Sequence, residues 1–311
     1  MTIRYSDGVL RSITRRELLA LASAAAFAPR AGAAPTGSMP ARAIPGTGET
    51  LPIVGLGSTR PVTAIAERGP EFVDAVVRAL AEHGGRVVDT WPRSDFNDDA
   101  FGEIISAPDL RDRLFVTINL EQQGAEAGRA HFERTLRLYR RERIDLVNVG
   151  SLIDLEAQWP NLRAFKDDGR ARYIGVTAAQ AALYDQLETF LARERPDFIE
   201  INYSVTEREA ERRLLPLCAD RGIAVLISRP FMNGAYFERL ANVPLPTWAE
   251  EFECTSWAQF SLQYILANPA VTCVLTETTS AEHMAENALV AFAPVPSRAA
   301  RRQMRRFIDA A

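Results

Sequence analysis

The apolar pair Val87-Val88 ends in Asp89 and gives way to the polar stretch Thr90-Trp91-Pro92-Arg93-Ser94-Asp95. An acid at the end of a buried strand is costly unless a cation or a set of donors faces it. Such a carboxyl group holds a cation, orients a neighbour or tunes a proton. Other apolar runs also end in polar or small residues: Asn119, Gly150, Thr177, Asn202, Ser228 and Thr276. The partners of Asp89 are expected among them, with Arg60, Arg93 and Arg229 as the cations able to neutralise it. Other reactive groups are scarce. Lys166 is the only lysine, and His83, His131 and His283 are the only histidines. Cys218, Cys254 and Cys273 are widely spaced, with no CxxC or Cys/His ligand pattern, so they read as buried small hydrophobes and no metal site is expected.

These residues sit in a chain of 311 residues, 47% hydrophobic and 24% charged, with a formal charge of −4. That balance suits a soluble globular protein and argues against a nucleic-acid partner, which selects for a basic surface. From about residue 50, short apolar runs alternate with longer amphipathic ones. The runs are 52–57, 86–90, 114–120, 144–150, 172–177, 198–204, 224–230 and 272–278. Near-continuous apolar strands separated by helical patterns such as "EFVDAVVRALAEHG" imply a parallel sheet covered on both faces. Eight units at this spacing predict an α/β fold, a (β/α)8 TIM barrel, whose chemistry lies at the carboxyl ends of the strands. A doubly wound open sheet is the alternative, but "GLGSTRP" lacks the Gly-rich turn expected after its first strand. Residues 232–253 read as a loop inserted over the mouth, and "RAARRQMRRFIDA" as a terminal basic helix with a solvated face.

The stretch 14–34, "TRRELLALASAAAFAPRAGAA", has paired arginines, a short alanine-rich apolar run and small residues suited to cleavage. It is too short to span a membrane and reads as a twin-arginine export signal. The expected organisation is therefore a signal over 1–34, a linker over 35–49 and a barrel with a C-terminal helix over 50–311. The Tat translocon would be a partner during export to the periplasm. The mature chain would have no transmembrane span. Whether the signal is cleaved or anchors the protein stays open, and Met39 offers a second start for a cytoplasmic form.

The segments "IPGTGETLPIVGLG", "GRARYIGVT", "FIEINYS", "LLPLCADRGIAVLISRPF", "SWAQFSLQYILANPAVTCVL" and "AEHMAEN" closely resemble the aldo/keto reductases. The resemblance runs from about Ile44 to Phe292. It implies carbonyl reduction with NADPH through a proton-donating tyrosine, a lysine that tunes it, an aspartate paired with the lysine and a histidine that orients the carbonyl. The family pattern D-[TS]-x-P-x-Y-G places its aspartate at Asp89 and its tyrosine at Ser94, with Gly102 holding the register beyond. "LFVTINL" places the lysine at Asn119, and "IDLVNVGS" places the histidine at Gly150. One of the four catalytic residues remains. An aliphatic hydroxyl at Ser94 is too weak an acid to stand in for a phenol. Lys166 lies on a helix away from the strand ends, and Tyr203 or Tyr236 would be the compensating phenols.

For the cofactor, the resemblance implies an NADP or NAD site at Thr177, Glu200, Ser228, Arg229, Thr278, Glu286 and Asn287. Glu200 replaces an amide, and Glu277 stands where many members put a lysine on the 2′-phosphate, which opposes NADPH. The expectation is an exported pseudoenzyme that binds a small-molecule ligand or a partner at a polar mouth of Asp89, Arg93, Ser94, Asn119, Ser151, Glu200, Asn202 and Arg229. The alternative is an active NAD(P)H-dependent oxidoreductase with a rebuilt proton donor.

Overall fold

The apolar runs form strands because their alternate residues have two dry places to go, the barrel interior and the underside of a helix layer. The computed structural model describes residues 38–311, so the export signal expected over 14–34 lies outside the described residues. A short antiparallel hairpin, β1 (Ala41–Ala43) and β2 (Thr50–Pro52), comes first. Eight parallel strands follow: β3 (Val54–Gly57), β4 (Val87–Thr90), β5 (Phe115–Leu120), β6 (Ile144–Val149), β7 (Ala171–Ala178), β8 (Phe198–Asn202), β9 (Ala224–Ser228) and β10 (Cys273–Thr276). They close in chain order, with β10 pairing back to β3. This is the (β/α)8 barrel expected from the spacing, and closure removes the open edges of the alternative sheet.

Twelve α-helices are described. Two short ones, α1 (Thr59–Thr63) and α2 (Ile65–Arg68), precede α3 (Glu71–Glu82). Then come α4 (Asp95–Ile105), α5 (Ala125–Leu138), α6 (Leu155–Asp167), α7 (Tyr184–Arg193) and α8 (Leu214–Arg221). The short α9 (Ala235–Leu240) lies in the long loop after β9, and α10 (Trp257–Leu266), α11 (Ala281–Leu289) and α12 (Arg298–Ala310) complete the chain. No helix among the described residues is long and apolar enough to cross a membrane.

The core has two parts. Strand residues facing outward pack with the helices in one large cluster, while a smaller cluster fills the lower barrel, including Val87, Phe115, Leu146, Tyr173, Phe198 and Leu226. Ile44 and Leu51 of the hairpin belong to this inner cluster and are buried. The expectation of a linker over 35–49 is therefore corrected from residue 38 onward. Its glycines and proline mark a tight turn, with Gly46 and Gly48 at φ 77° and 76°, and the strands beside them close the barrel floor.

Candidate active site

Strand alternation that puts Phe115 and Phe198 in the lower barrel puts Thr117, Asn119 and Glu200 above them on the same inward face. Asp89 joins this upper layer, where it is 3% exposed and Glu200 2%. Ser58 ties down the end of β4, donating from both N and Oγ to the Asp89 carbonyl at 2.7 Å. The Asp89 carboxyl accepts Thr117 Oγ1 at 3.0 Å and Asn119 Nδ2 at 2.8 Å. Its partner is thus an amide and a hydroxyl, and Asn119 occupies the position of the family lysine.

Asn119 passes the interaction on. With its NH2 group turned to Asp89, its Oδ1 accepts from Thr177 Oγ1. Thr177 has one hydroxyl proton, so its oxygen faces Glu200 Oε2, 3.4 Å away, as an acceptor. When Glu200 is protonated it supplies the proton in that contact, and when it is ionised the hydroxyl must turn to it. The titration behaviour agrees. Burial pushes Glu200 up to about 7, against neighbouring hydroxyl and amide donors. Burial first, and then the Glu200 charge, push Asp89 well above the usual carboxylate range. Both carboxyls line the floor of a mouth cavity of about 540 Å³.

The three positions expected to have lost tyrosine, lysine and histidine carry structural work. Ser94 caps α4, accepting Asn97 N at 3.4 Å while its own N donates to Asp98 Oδ2 at 2.9 Å. It does not line the mouth cavity. Gly150 turns the chain after β6, and a Cβ there would meet Trp91 Cζ3 and Glu121 Cγ, each at 2.9 Å. The space of a histidine is taken by a rim cluster in which Arg93 pairs with Glu121 at 2.9 Å and stacks over Trp91, and Ser151 donates to Glu121 at 3.1 Å.

The expected cations reach the mouth and are engaged elsewhere. Arg60 lies 3.9 Å from Glu277, and Arg229 donates to the Ala179 carbonyl at 2.9 Å. None pairs with Asp89. Lys166 binds Asp197 at 2.7 Å, just before β8 and far from the strand ends. The compensating phenols are also corrected. Tyr203 is buried against Glu211 and Arg301, and Tyr236 against Phe237 and Trp257; neither lines the mouth. Both rings follow apolar sequence onto the helix side of the barrel. Asn202, also expected at the mouth, is held by Tyr184 at 2.7–2.9 Å. The loop over the mouth contributes Asn233, Gly234 and Phe237.

Thr278, Glu286 and Asn287 meet in a second cavity of about 560 Å³ that shares Phe231, Phe237 and Glu277 with the first. Thr177 lies beneath the mouth, while Glu200, Ser228 and Arg229 line it, so the proposed cofactor residues divide between neighbouring cavities. The second cavity has aromatic walls from Phe231, Phe237 and Trp257, and its ionisable residues are Glu277, Glu286 and His283. Glu277 Oε1 accepts from Arg60 N at 3.0 Å. A phosphate dianion here would face two carboxylates and no arginine or lysine. The residues do not fit the 2′-phosphate of NADP.

Residues 54–299 match the profile described as "Aldo/keto reductase family". The chain belongs to the aldo/keto reductase family. An NADH-specific methylglyoxal reductase of Escherichia coli (strain K12) is 36% identical over 73 residues, 24% of this chain and 22% of that protein. The aldo-keto reductase YhdN of Bacillus subtilis (strain 168) is 26% identical over 173 residues, 51% of each chain. The alignments thus span about half of one of these curated relatives and less than a quarter of the other. Among solved structures, aldo-keto reductase AKR11C1 from Bacillus halodurans (holo form) superposes with a TM-score of 0.71 at 17% identity, covering 86% of this chain and 96% of its own. A Klebsiella pneumoniae family member in complex with NADP and acetate gives 0.69 at 22% identity, covering 83% and 92%. At these identities the superpositions establish the shared fold.

Sequence reading missed Trp91, Glu121, Phe231 and Phe237. The aromatic residues beside strand-end glycine and arginine were the available signal, but their inward aim depends on loops that only the folded chain defines.

Proposed function

We propose that this aldo/keto reductase barrel is a binding protein that does not reduce carbonyls. One observation carries the reading: among the described residues no phenol, ammonium or imidazole lines the mouth cavity, and Ser94, Asn119 and Gly150 are committed to capping, hydrogen bonding and packing. What remains is a recess with a carboxyl floor and an arginine rim, suited to a small hydroxylated or charged ligand. Asp89 and Glu200 would accept its donors, while Arg93 and Arg229 would meet its acceptors. Of the two dinucleotides, NADH is the one that lacks the 2′-phosphate those carboxylates oppose.

The test begins with titration of the protein with NADPH and NADH. Trp91 and Trp257 line the two cavities and report on them by fluorescence. NADPH is expected to give no saturation up to about millimolar, and aldehydes and ketones no oxidation of either nucleotide above the buffer rate. Carbonyl-dependent turnover that disappears in Asp89→Asn would refute the binding-protein reading.

A second reading rests on Glu200. A buried carboxyl titrating at about 7 is a competent general acid at neutral pH. Under this reading turnover exists, declines as pH rises through 7, and is abolished by Glu200→Gln. Turnover that survives Glu200→Gln excludes it.

A further inference from the structure

The opposite end of the barrel repeats a residue choice. An arginine stands within two residues of the start of successive strands: Arg86 before β4, Arg113 before β5, Arg143 before β6, and Arg170 and Arg172 at β7. Arg111 and Arg141 lie in the loops that lead to β5 and β6. Parallel pairing sets neighbouring strands about 4.8 Å apart, so this pattern gathers the side chains around one spot. They line a recess of about 670 Å³ on the amino-terminal face, floored by Leu114 and Phe115.

The charge there is unbalanced. Seven arginines face four carboxylates, on a chain whose formal charge is −4. Arg172 pairs with Asp145 and Glu49, and Arg170 with Asp168 and Glu133. Among the described residues, the other five have no carboxylate within salt-bridge range. Asp112 and Glu142, at the rim, form no ion pair either. Arg86 and Arg113 donate to the Thr50 and Ala81 carbonyls, at 3.1 and 2.8 Å. Arg141 is partly buried and donates to the Ile105 carbonyl at 2.7 Å, while its Nε is shielded from solvent with no partner. Desolvation lowers its pKa. A guanidinium held out of water with an unmet donor is unfavourable unless an anion completes it.

We propose that this recess is a binding site for a small, multiply charged phosphate anion, separate from the barrel mouth. Guanidinium forks match phosphate oxygens in pairs, and several converging forks select for an anion with more than one phosphate. The concave shape and the rim acids Asp112 and Glu142 favour a compact soluble ligand over a flat anionic membrane.

The probe is inorganic tripolyphosphate, titrated calorimetrically into the full chain without added metal. Saturable binding of one equivalent is expected. R111E/R143E should weaken it by about tenfold or more, since two forks become carboxylates. Among the described residues neither side chain hydrogen-bonds to the protein, and R111Q/R143Q, expected to weaken binding by about threefold, serves if the double reversal fails to fold. The control is Arg302→Glu on the exposed face of α12, expected to change affinity by less than about twofold. An equal loss in Arg302→Glu would mean general electrostatic attraction and would overturn the site. So would the absence of saturation at millimolar tripolyphosphate, or capture by phosphatidic acid vesicles without tripolyphosphate binding.

Discussion

The upper and lower halves of the barrel interior are built from the same strands and solve opposite problems. Below, Phe115, Tyr173 and Phe198 stack with ring centroids 5.4–6.0 Å apart over the hairpin residues Ile44 and Leu51. Two residues beyond Phe115 and Phe198, and four beyond Tyr173, Thr117, Glu200 and Thr177 form a hydrogen-bonded layer with Asp89 and Asn119. The lower layer is stabilised by burial. The upper layer holds two carboxyls in a place that disfavours their charge. A shared fold therefore carries stability in one layer and leaves the other free for recognition.

The largest test of that contrast is Phe198→Ala, which opens a cavity in the lower layer. It should lower stability by about 3–5 kcal/mol in denaturant unfolding, the range for truncating a fully buried Phe. A loss under 1 kcal/mol would show that the lower layer is not the stabilising one.

Next comes the pH dependence of the upper layer. Glu200 titrates at about 7 folded against an ordinary value of 4.5. Between these values the unfolded chain releases a proton that the folded chain keeps, so stability falls as pH rises through 7. The favourable contribution is fully present below 4.5, and the raised Asp89 extends the decline in the same direction. Glu200→Gln should flatten this slope and raise stability at pH 8 by on the order of 3 kcal/mol. Parallel slopes in the two proteins would mean that Glu200 does not titrate in this range.

Gly150→His separates a lost residue from a filled site. A side chain there drives into Trp91 and Glu121, and overpacking of this kind costs about 1–3 kcal/mol. Unchanged unfolding would show that the rim gives way and that the histidine position is still available. The smallest effect is Ser94→Ala, which removes the α4 cap and should cost about 1 kcal/mol in thermal or denaturant unfolding. A loss of ligand affinity with unaltered stability would place Ser94 in the mouth instead.

Much of this was readable in advance, for local reasons. Eight apolar runs at even spacing forecast the barrel because strand alternation and helix periodicity are properties of short windows. The expectation that Ser94, Asn119 and Gly150 stand at the tyrosine, lysine and histidine positions also came from short windows, the motifs that follow β4, β5 and β6. The hairpin was not. Three-residue strands separated by Pro45, Gly46 and Gly48 look like a linker, and only the apolar socket beneath the barrel makes Ile44 and Leu51 core residues. Tyr203 and Tyr236 illustrate the same limit, because a phenol in sequence does not reveal which side of a strand-end loop it will face.

The sequence by itself determined that inward and outward residues alternate, that Asp89 stands at a strand end, and that no lysine could meet it there. The tertiary structure alone decided what does meet it. Asp89 and Asn119 are 30 residues apart, and Asn119 and Thr177 are 58 apart. No local pattern encodes those contacts. Barrel closure turns β4, β5, β7 and β8 toward one interior, excludes water from their upper layer, and by that desolvation raises Glu200 to about 7.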